Sequence, residues 1–193
     1  MPDNEVPLIN DPKRLRAMAH PLRWKLINLI GAEHSATATR CAEVLGESVA
    51  SCSYHLNMLA KYDFIEEAPG GQGREKPWRL VSLKQSFSGE GLSEEGQLAA
   101  EAAGEAFLDF EVEQMKASRR RKSMDPEPWR EATGTVASSV YLTAAETAEL
   151  HQHLLELAER HEDRWDDPDL RPADARQVRM FLAVYLPPYE PKK

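Results

Sequence analysis

The chain has 193 residues, enough for one well-packed core and a smaller appended unit. Apolar residues make up 41% of it, which argues against global disorder, and no apolar run approaches the ~20 residues that a membrane span needs. The net charge is −8 but unevenly spread: residues 11–86 hold eleven Lys/Arg against eight Asp/Glu, and the remainder hold thirteen against twenty-four. Neutralising a phosphate backbone depends on charge along the contact face, so an acidic total does not exclude a polyanionic partner but argues against tight, indiscriminate binding. The opening residues lack the basic-then-apolar order of a secretory signal. Two cysteines, Cys41 and Cys52, make no disulfide scaffold. A reducing, cytoplasmic setting is expected, without a membrane.

In chain order, Asp11-Pro12 places a capping side chain before a proline that suits a first helical turn, predicting a helix over about Asp11–Met18. His20-Pro21 restarts the chain in the same way. Leu22, Leu26, Leu29 and Ile30 then recur at helical spacing, with Gly31 closing the segment. A third helix spans about Thr37–Leu45 and ends at Gly46. Ser48 caps a fourth over about Val49–Lys61, whose inward stripe is Cys52, Leu56 and Leu59. Phe64–Glu67 alternates as a strand, PGGQGREKP is a tip, and Trp78–Val81 returns as a second strand. Pro77 cannot donate to a ladder, so the return strand is expected at an edge.

Ser93 then opens a long helix to about Lys122, and Asp125-Pro126-Glu127-Pro128 stops it. Ala99, Ala103, Phe107 and Phe110 form an apolar stripe near heptad spacing on it, the natural seam of a dimer. The last third reads as strand (Val136–Leu142), helix (Ala144–Glu162) and strand (Gln177–Leu186), with Thr143 and Glu146 fitting a capping box. The whole is α+β: a winged helix-turn-helix over residues 11–86, a dimerisation helix over 93–122, and a strand-helix-strand unit over 135–190 that packs or senses.

The most informative stretch is TRCAEVLGESVASCSYHL, residues 39–56. Ala42 is small where two helices cross, and Gly46 sits at a sharp turn that favours positive φ. Cys41, Leu45 and Cys52 are the apolar positions that lock the pair. The second helix then presents a small, polar outer face, as a helix lying in a major groove must: Ser48, Val49, Ala50, Ser51, Ser53, Tyr54 and Asn57. Arg74 and Lys76, near the hairpin tip, suit a phosphate or minor-groove contact beside it. Double-stranded DNA is the partner these residues point to. A protein-interaction adaptor on the same fold is the alternative, but it has no need of a small polar face next to a basic wing.

These residues resemble the arsenical-repressor (ArsR) family of winged-helix regulators, in particular actinobacterial members with an extended C-terminal region. AHPLRWKLINLI is similar to the family's His-Pro-x-Arg start of its second helix. Ser48, Ser53, His55 and Leu56 are similar to its recognition helix, and GREKPWRL to its wing. The specific likeness covers about residues 11–83. It implies a homodimer that represses or activates promoters, repression being the expected sign, and that often responds to a small-molecule effector. The family's best-known sensors bind metal through a cysteine pair at the start of the motif's first helix. That stretch here reads Thr37-Ala38-Thr39-Arg40, without a thiolate, so no metal and no cofactor is expected there.

Other groups carry weaker signals. His151 and His153 lie two residues apart, about 200° around a helix, and cannot share an ion; a site built with His161 and Asp163, Asp166 or Asp167 is the less favoured reading beside solvated histidines. Arg119–Lys122 suits the C-terminal end of a helix through its dipole more than it suits DNA. A ligand pocket near Trp129, Trp165, Phe181 and Tyr185 is a lesser idea, and no nucleophile-base or phosphate-loop signature points to an enzyme. Cys41 and Cys52 read as small buried hydrophobes, with a thiol switch the sharper and less favoured alternative.

Overall fold

The structure, a computed structural model, describes residues 8–71, 75–82 and 86–188, and divides into two compact units at Met124/Asp125. In the first, β1 (Leu8–Ile9) leads into α1 (Pro12–Met18). Asp11 caps α1, its carboxylate accepting from the Lys13 amide at 2.9 Å. His20 caps α2 (Pro21–Glu33) with an imidazole nitrogen, Nδ1 accepting from the Leu22 amide at 3.2 Å. This helix runs through the buried Gly31, where the sequence suggested closure, and stops at His34 with φ +63°. Thr37 caps α3 (Ala38–Leu45) and Ser48 caps α4 (Val49–Lys61).

The hairpin follows as β2 (Ile65–Glu67) and β3 (Trp78–Leu80), antiparallel, with Ile65 opposite Leu80 and Glu67 opposite Trp78. The return strand is not purely an edge. The Trp78 amide donates to the Ala36 carbonyl at 2.9 Å and the Ala36 amide to Trp78 at 3.0 Å. Pro77 sits one residue before that bridge, where its missing N–H costs nothing and its carbonyl accepts from Ala68 at 2.8 Å. A second pair, unforeseen from the sequence, joins β1 in parallel to β4 (Ser86–Phe87).

The long helix is α5 (Glu94–Arg121), 28 residues, capped by Ser93, with Glu94 and Glu95 in its first turn and Arg119–Arg121 in its last. Both ends complement the helix dipole. Its inward face consists of Gly96, Ala99, Ala103, Ala106 and Phe110, laid along α1 and α2. Small residues let two helix backbones approach closely. At Gly96 an added Cβ would lie 2.7 Å from Leu92 Cβ and 3.2 Å from Pro12 Cγ. Above this seam Phe107 and Phe87 pack around Trp24, with ring centroids 4.9 and 5.6 Å from the indole, and the indole N–H donates to the Met18 carbonyl at 2.8 Å.

The second unit holds α6 (Glu127–Ala132), α7 (Ala144–Glu159) and α8 (Asp163–Asp166). The Thr143/Glu146 capping box is present as expected. The strands expected at Val136–Leu142 and Gln177–Leu186 are not formed; both segments lie outside regular structure. Their side chains are exposed almost throughout, Val136 at 92% and Leu186 at 92% among them. β-branched and aromatic residues give a segment the capacity to pair, but a strand exists only when a neighbour takes up its amides and carbonyls. Among the described residues of this unit no side chain is buried, so they form no core of their own.

Two glycines of α5 separate packing from propensity. Gly96→Val should lower stability by about 1–3 kcal/mol through overpacking. Gly104→Ala, whose added Cβ meets nothing within 4 Å, should raise it by about 0.5–1 kcal/mol through helix propensity. Urea denaturation of both variants measures this; an unchanged Gly96→Val midpoint would mean that α5 does not seat closely on α1.

Candidate nucleic-acid interface

The α3–α4 pair is locked from inside. Cys41, Ala42, Cys52, Leu56 and Leu59 are all buried between or beneath α3 and α4. Gly46 ends α3 at φ +69°, and the amides of Gly46 and Glu47 both donate to the Ala42 carbonyl, at 3.0 and 3.2 Å. That tight exit sets Ser48 where its hydroxyl accepts from the Ser51 amide at 3.1 Å. With Cys52, Leu56 and Leu59 turned inward, the remaining face of α4 looks out. Val49, Ala50, Tyr54 and Asn57 are exposed, and Ser51 and Ser53 half-buried. Tyr54 is 60% exposed. The Asn57 side-chain amide donates to the Ser53 carbonyl at 2.8 Å. The residues read from the sequence thus lie on one surface, although the Ser48 hydroxyl is already engaged in the cap.

Beside this helix, Lys76 Nζ lies 2.9 Å from Glu67 Oε2, and Arg79 pairs with Glu66 across the hairpin. Both pairs are more than half exposed. Such contacts contribute about 0–1 kcal/mol, so the Lys76 ammonium can exchange its carboxylate for a phosphate. Arg74 falls outside the described residues. The Thr39 hydroxyl, on α3, donates to Glu75 Oε1 at 3.1 Å and ties the hairpin loop to α3.

Sequence reasoning gave no role to a buried polar cluster behind Tyr54. Arg23 is 7% exposed and His55 8%. Arg23 Nε donates to His55 Nδ1 at 3.3 Å, and its Nη1 donates to the Ala17 carbonyl. The His20 ring lies 4.2 Å from the His55 ring, and Tyr54 meets His55 edge-on at 5.1 Å. Burial, then the neighbouring His20 and Arg23, hold His55 below the ordinary histidine value, with Glu47 opposing. Burial likewise lowers Arg23, against Tyr54 and Tyr62. A signal was present: Arg23 shares a helical face with Leu26 and Ile30, and His55 sits between Cys52 and Leu59. Each is a polar residue on an apolar stripe.

The long-helix residues read as a dimer seam belong elsewhere. Ala99, Ala103 and Phe110 are buried in the same chain's core, and Phe107 is half-buried against Trp24 and Phe87. An apolar stripe looks the same in sequence whether its cover comes from the same chain or another. Here α1 and α2 supply it. The apolar residues that α5 leaves outside are Leu98, Leu108, Val112 and Met115.

Cys41 and Cys52 are free thiols, each fully buried. Burial, then the nearby Cys52 and Glu33, push Cys41 up to about 12, against the pull of Arg40. Burial and Glu47 raise Cys52 as well. His151, His153 and His161 are exposed, and among the described residues no group of three or more His, Cys, Asp or Glu side chains could hold a metal ion. No described helix is long and apolar enough to cross a membrane. No family model and no curated protein matches the chain.

Because the thiolate is the reactive species, a disulfide reagent at pH 8 should modify neither cysteine of the folded protein within minutes and both after unfolding. Rapid labelling of the native chain would show that the crossing of α3 and α4 opens.

Proposed function

We propose that the chain is a homodimeric, sequence-specific DNA-binding transcriptional regulator of the ArsR-like winged-helix kind. The observation that carries this reading is the outer face of α4: small, polar and led by an exposed Tyr54, on a helix whose other side is held by the Cys41–Cys52–Leu56 contact. Such a face fits a major groove, where clearance is small and base edges are read by hydrogen bonds and apolar contact. The β2–β3 hairpin beside it supplies Lys76 and Arg79, whose weak ion pairs can yield to phosphate.

The test is fluorescence anisotropy on the protein's own upstream DNA and on random duplex, across a salt series. Tyr54→Ala should reduce discrimination by about 1–3 kcal/mol per affected base pair. Neutralising Arg74 and Lys76 together should weaken both DNAs alike and flatten the salt slope by about 0.9 for each phosphate that is no longer neutralised. Equal weakening on both duplexes from Tyr54→Ala would reduce that residue to positioning. No salt-dependent binding at all would favour a protein-interaction adaptor.

One recognition helix covers half a site, so the reading requires two copies. With the inward face of α5 used by its own core, the proposed seam is the opposite face: Leu98, Leu108, Val112 and Met115. These lie within about 100° of one another around the helix. The chain's charges suit an antiparallel pair. In one centred between Leu108 and Val112, each Leu108 meets the other copy's Val112, and the exposed Glu101 faces the exposed Arg119. Leu108→Glu with Val112→Glu should yield folded monomers in sedimentation, whereas Phe107→Glu with Phe110→Glu should unfold the chain. Dimers surviving the first pair would place the seam elsewhere.

A further inference from the structure

We propose that Arg23 and His55 form a proton-sensitive latch that positions Tyr54 on the recognition helix, so that acidification releases DNA. This rests on the DNA-binding reading and names a means of regulating that same surface. Arg23 reaches from the start of α2 to two acceptors on different elements, the Ala17 carbonyl at the end of α1 and His55 Nδ1 on α4. His55 accepts that bond only as a neutral imidazole, with its proton on Nε2. A second proton, on Nδ1, turns the acceptor into a donor. Two donors then face each other, and two cations share a site in which each side chain is under a tenth exposed. A buried like-charge pair without its hydrogen bond is costly, and separating α4 from α2 relieves it. Tyr54, whose ring rests edge-on against His55, moves with it.

The groups facing His55 are few. From α2 come Arg23 and, at its cap, His20, both of which disfavour a charge on His55. From α4 comes the Tyr54 ring, and from the turn before α4, among the described residues, comes Glu47, the anion that opposes. Tyr62, just after α4, acts on Arg23. From α1 only the Ala17 carbonyl reaches the cluster: Arg14 lies over the Phe64 ring, Arg16 pairs with Glu95 and Lys13 is exposed. Because the folded state disfavours protonated His55, the unfolded or unlatched chain binds more protons below the ordinary histidine range near 6.5. The latch is therefore closed at neutral pH and weakens as pH falls below that range.

General electrostatics predicts the reverse. Added positive charge at acid pH strengthens DNA binding, so the direction of the effect is diagnostic. Affinity for upstream and random DNA is measured from pH 8 to pH 5 at constant ionic strength, for the wild type, His55→Gln and His20→Asn. The wild type should lose tenfold or more of its affinity for upstream DNA toward pH 5. His55→Gln, which keeps a neutral acceptor for Arg23, should bind with a flat profile, and His20→Asn, which keeps the cap, should retain the pH-dependent weakening. Wild-type binding that is flat or tighter in acid overturns the latch, and so does an equal weakening in His55→Gln. Should His55→Gln not fold, ring NMR of the wild type decides: Tyr54 signals must shift along the His55 titration curve, and independence of the two refutes the proposal. Absence of specific DNA binding at pH 8 would sink the functional reading instead, leaving the latch to be judged by that same coupling.

Discussion

A guanidinium under the protein surface must be satisfied or it unfolds its surroundings, and the buried Arg23 imposes that condition on the whole motif. An ionised group so enclosed carries a desolvation cost of several kcal/mol unless its donors find acceptors. Arg23 stands on α2, and its acceptors belong to two other elements, the end of α1 and the middle of α4. Meeting the demand of one side chain thus fixes where α4 lies relative to the first two helices. The apolar contacts beneath, from Leu26, Ile30, Leu56 and Leu59, supply most of the burial but would tolerate small slides and rotations. A hydrogen-bonded buried cation does not. The division is a general one: nonpolar area sets how strongly elements associate, and directional polar contacts set in which register.

The long helix illustrates the same economy on a larger scale. Gly96, Ala99 and Ala103 bring α5 close to α1, so that a slender inward face serves where a wide one would otherwise be needed. The opposite side is then free to carry Leu108, Val112 and Met115 among charged residues whose sign changes along the helix, acidic at the start and basic at the end. One element thereby completes a monomer's core and still offers a second apolar stripe.

Much of this was legible in the residues. Asp11, Thr37, Ser48, Ser93 and Thr143 all mark helix starts, because a cap is a contact within three residues and sequence order settles it. Gly46 was legible for the same reason. What escaped involved partners distant in the chain. Nothing local says that Leu8 and Ile9 will find Ser86 and Phe87, or that the stripe around Phe107 will be covered by Trp24. The two apolar-rich segments of the last third have the composition of strands, yet a strand is a relation between segments, and no described segment of this chain takes them up. For the outer face of α4 the local signal sufficed, since burying Cys52, Leu56 and Leu59 leaves that face no other direction. The polar cluster behind it was missed because Arg23 and His55 were read as members of a familiar string and not as charged or polar residues at core positions.

The short parallel pair between β1 and β4 bears on how the chain assembles. Its two rungs join residues separated by nearly eighty positions, with α1 to α4 and the hairpin enclosed between them. Such a closure carries the loop entropy of everything inside it, so it is favourable only after the enclosed helices have condensed and drawn the two ends together. On a ribosome, the first strand emerges long before its partner exists and must wait, with Ile9 uncovered, while α1 to α4 form behind it. The pair is therefore a late clasp, and a chain cut between the hairpin and Ser86 would retain α4 yet leave Leu8 and Ile9 without their strand partner.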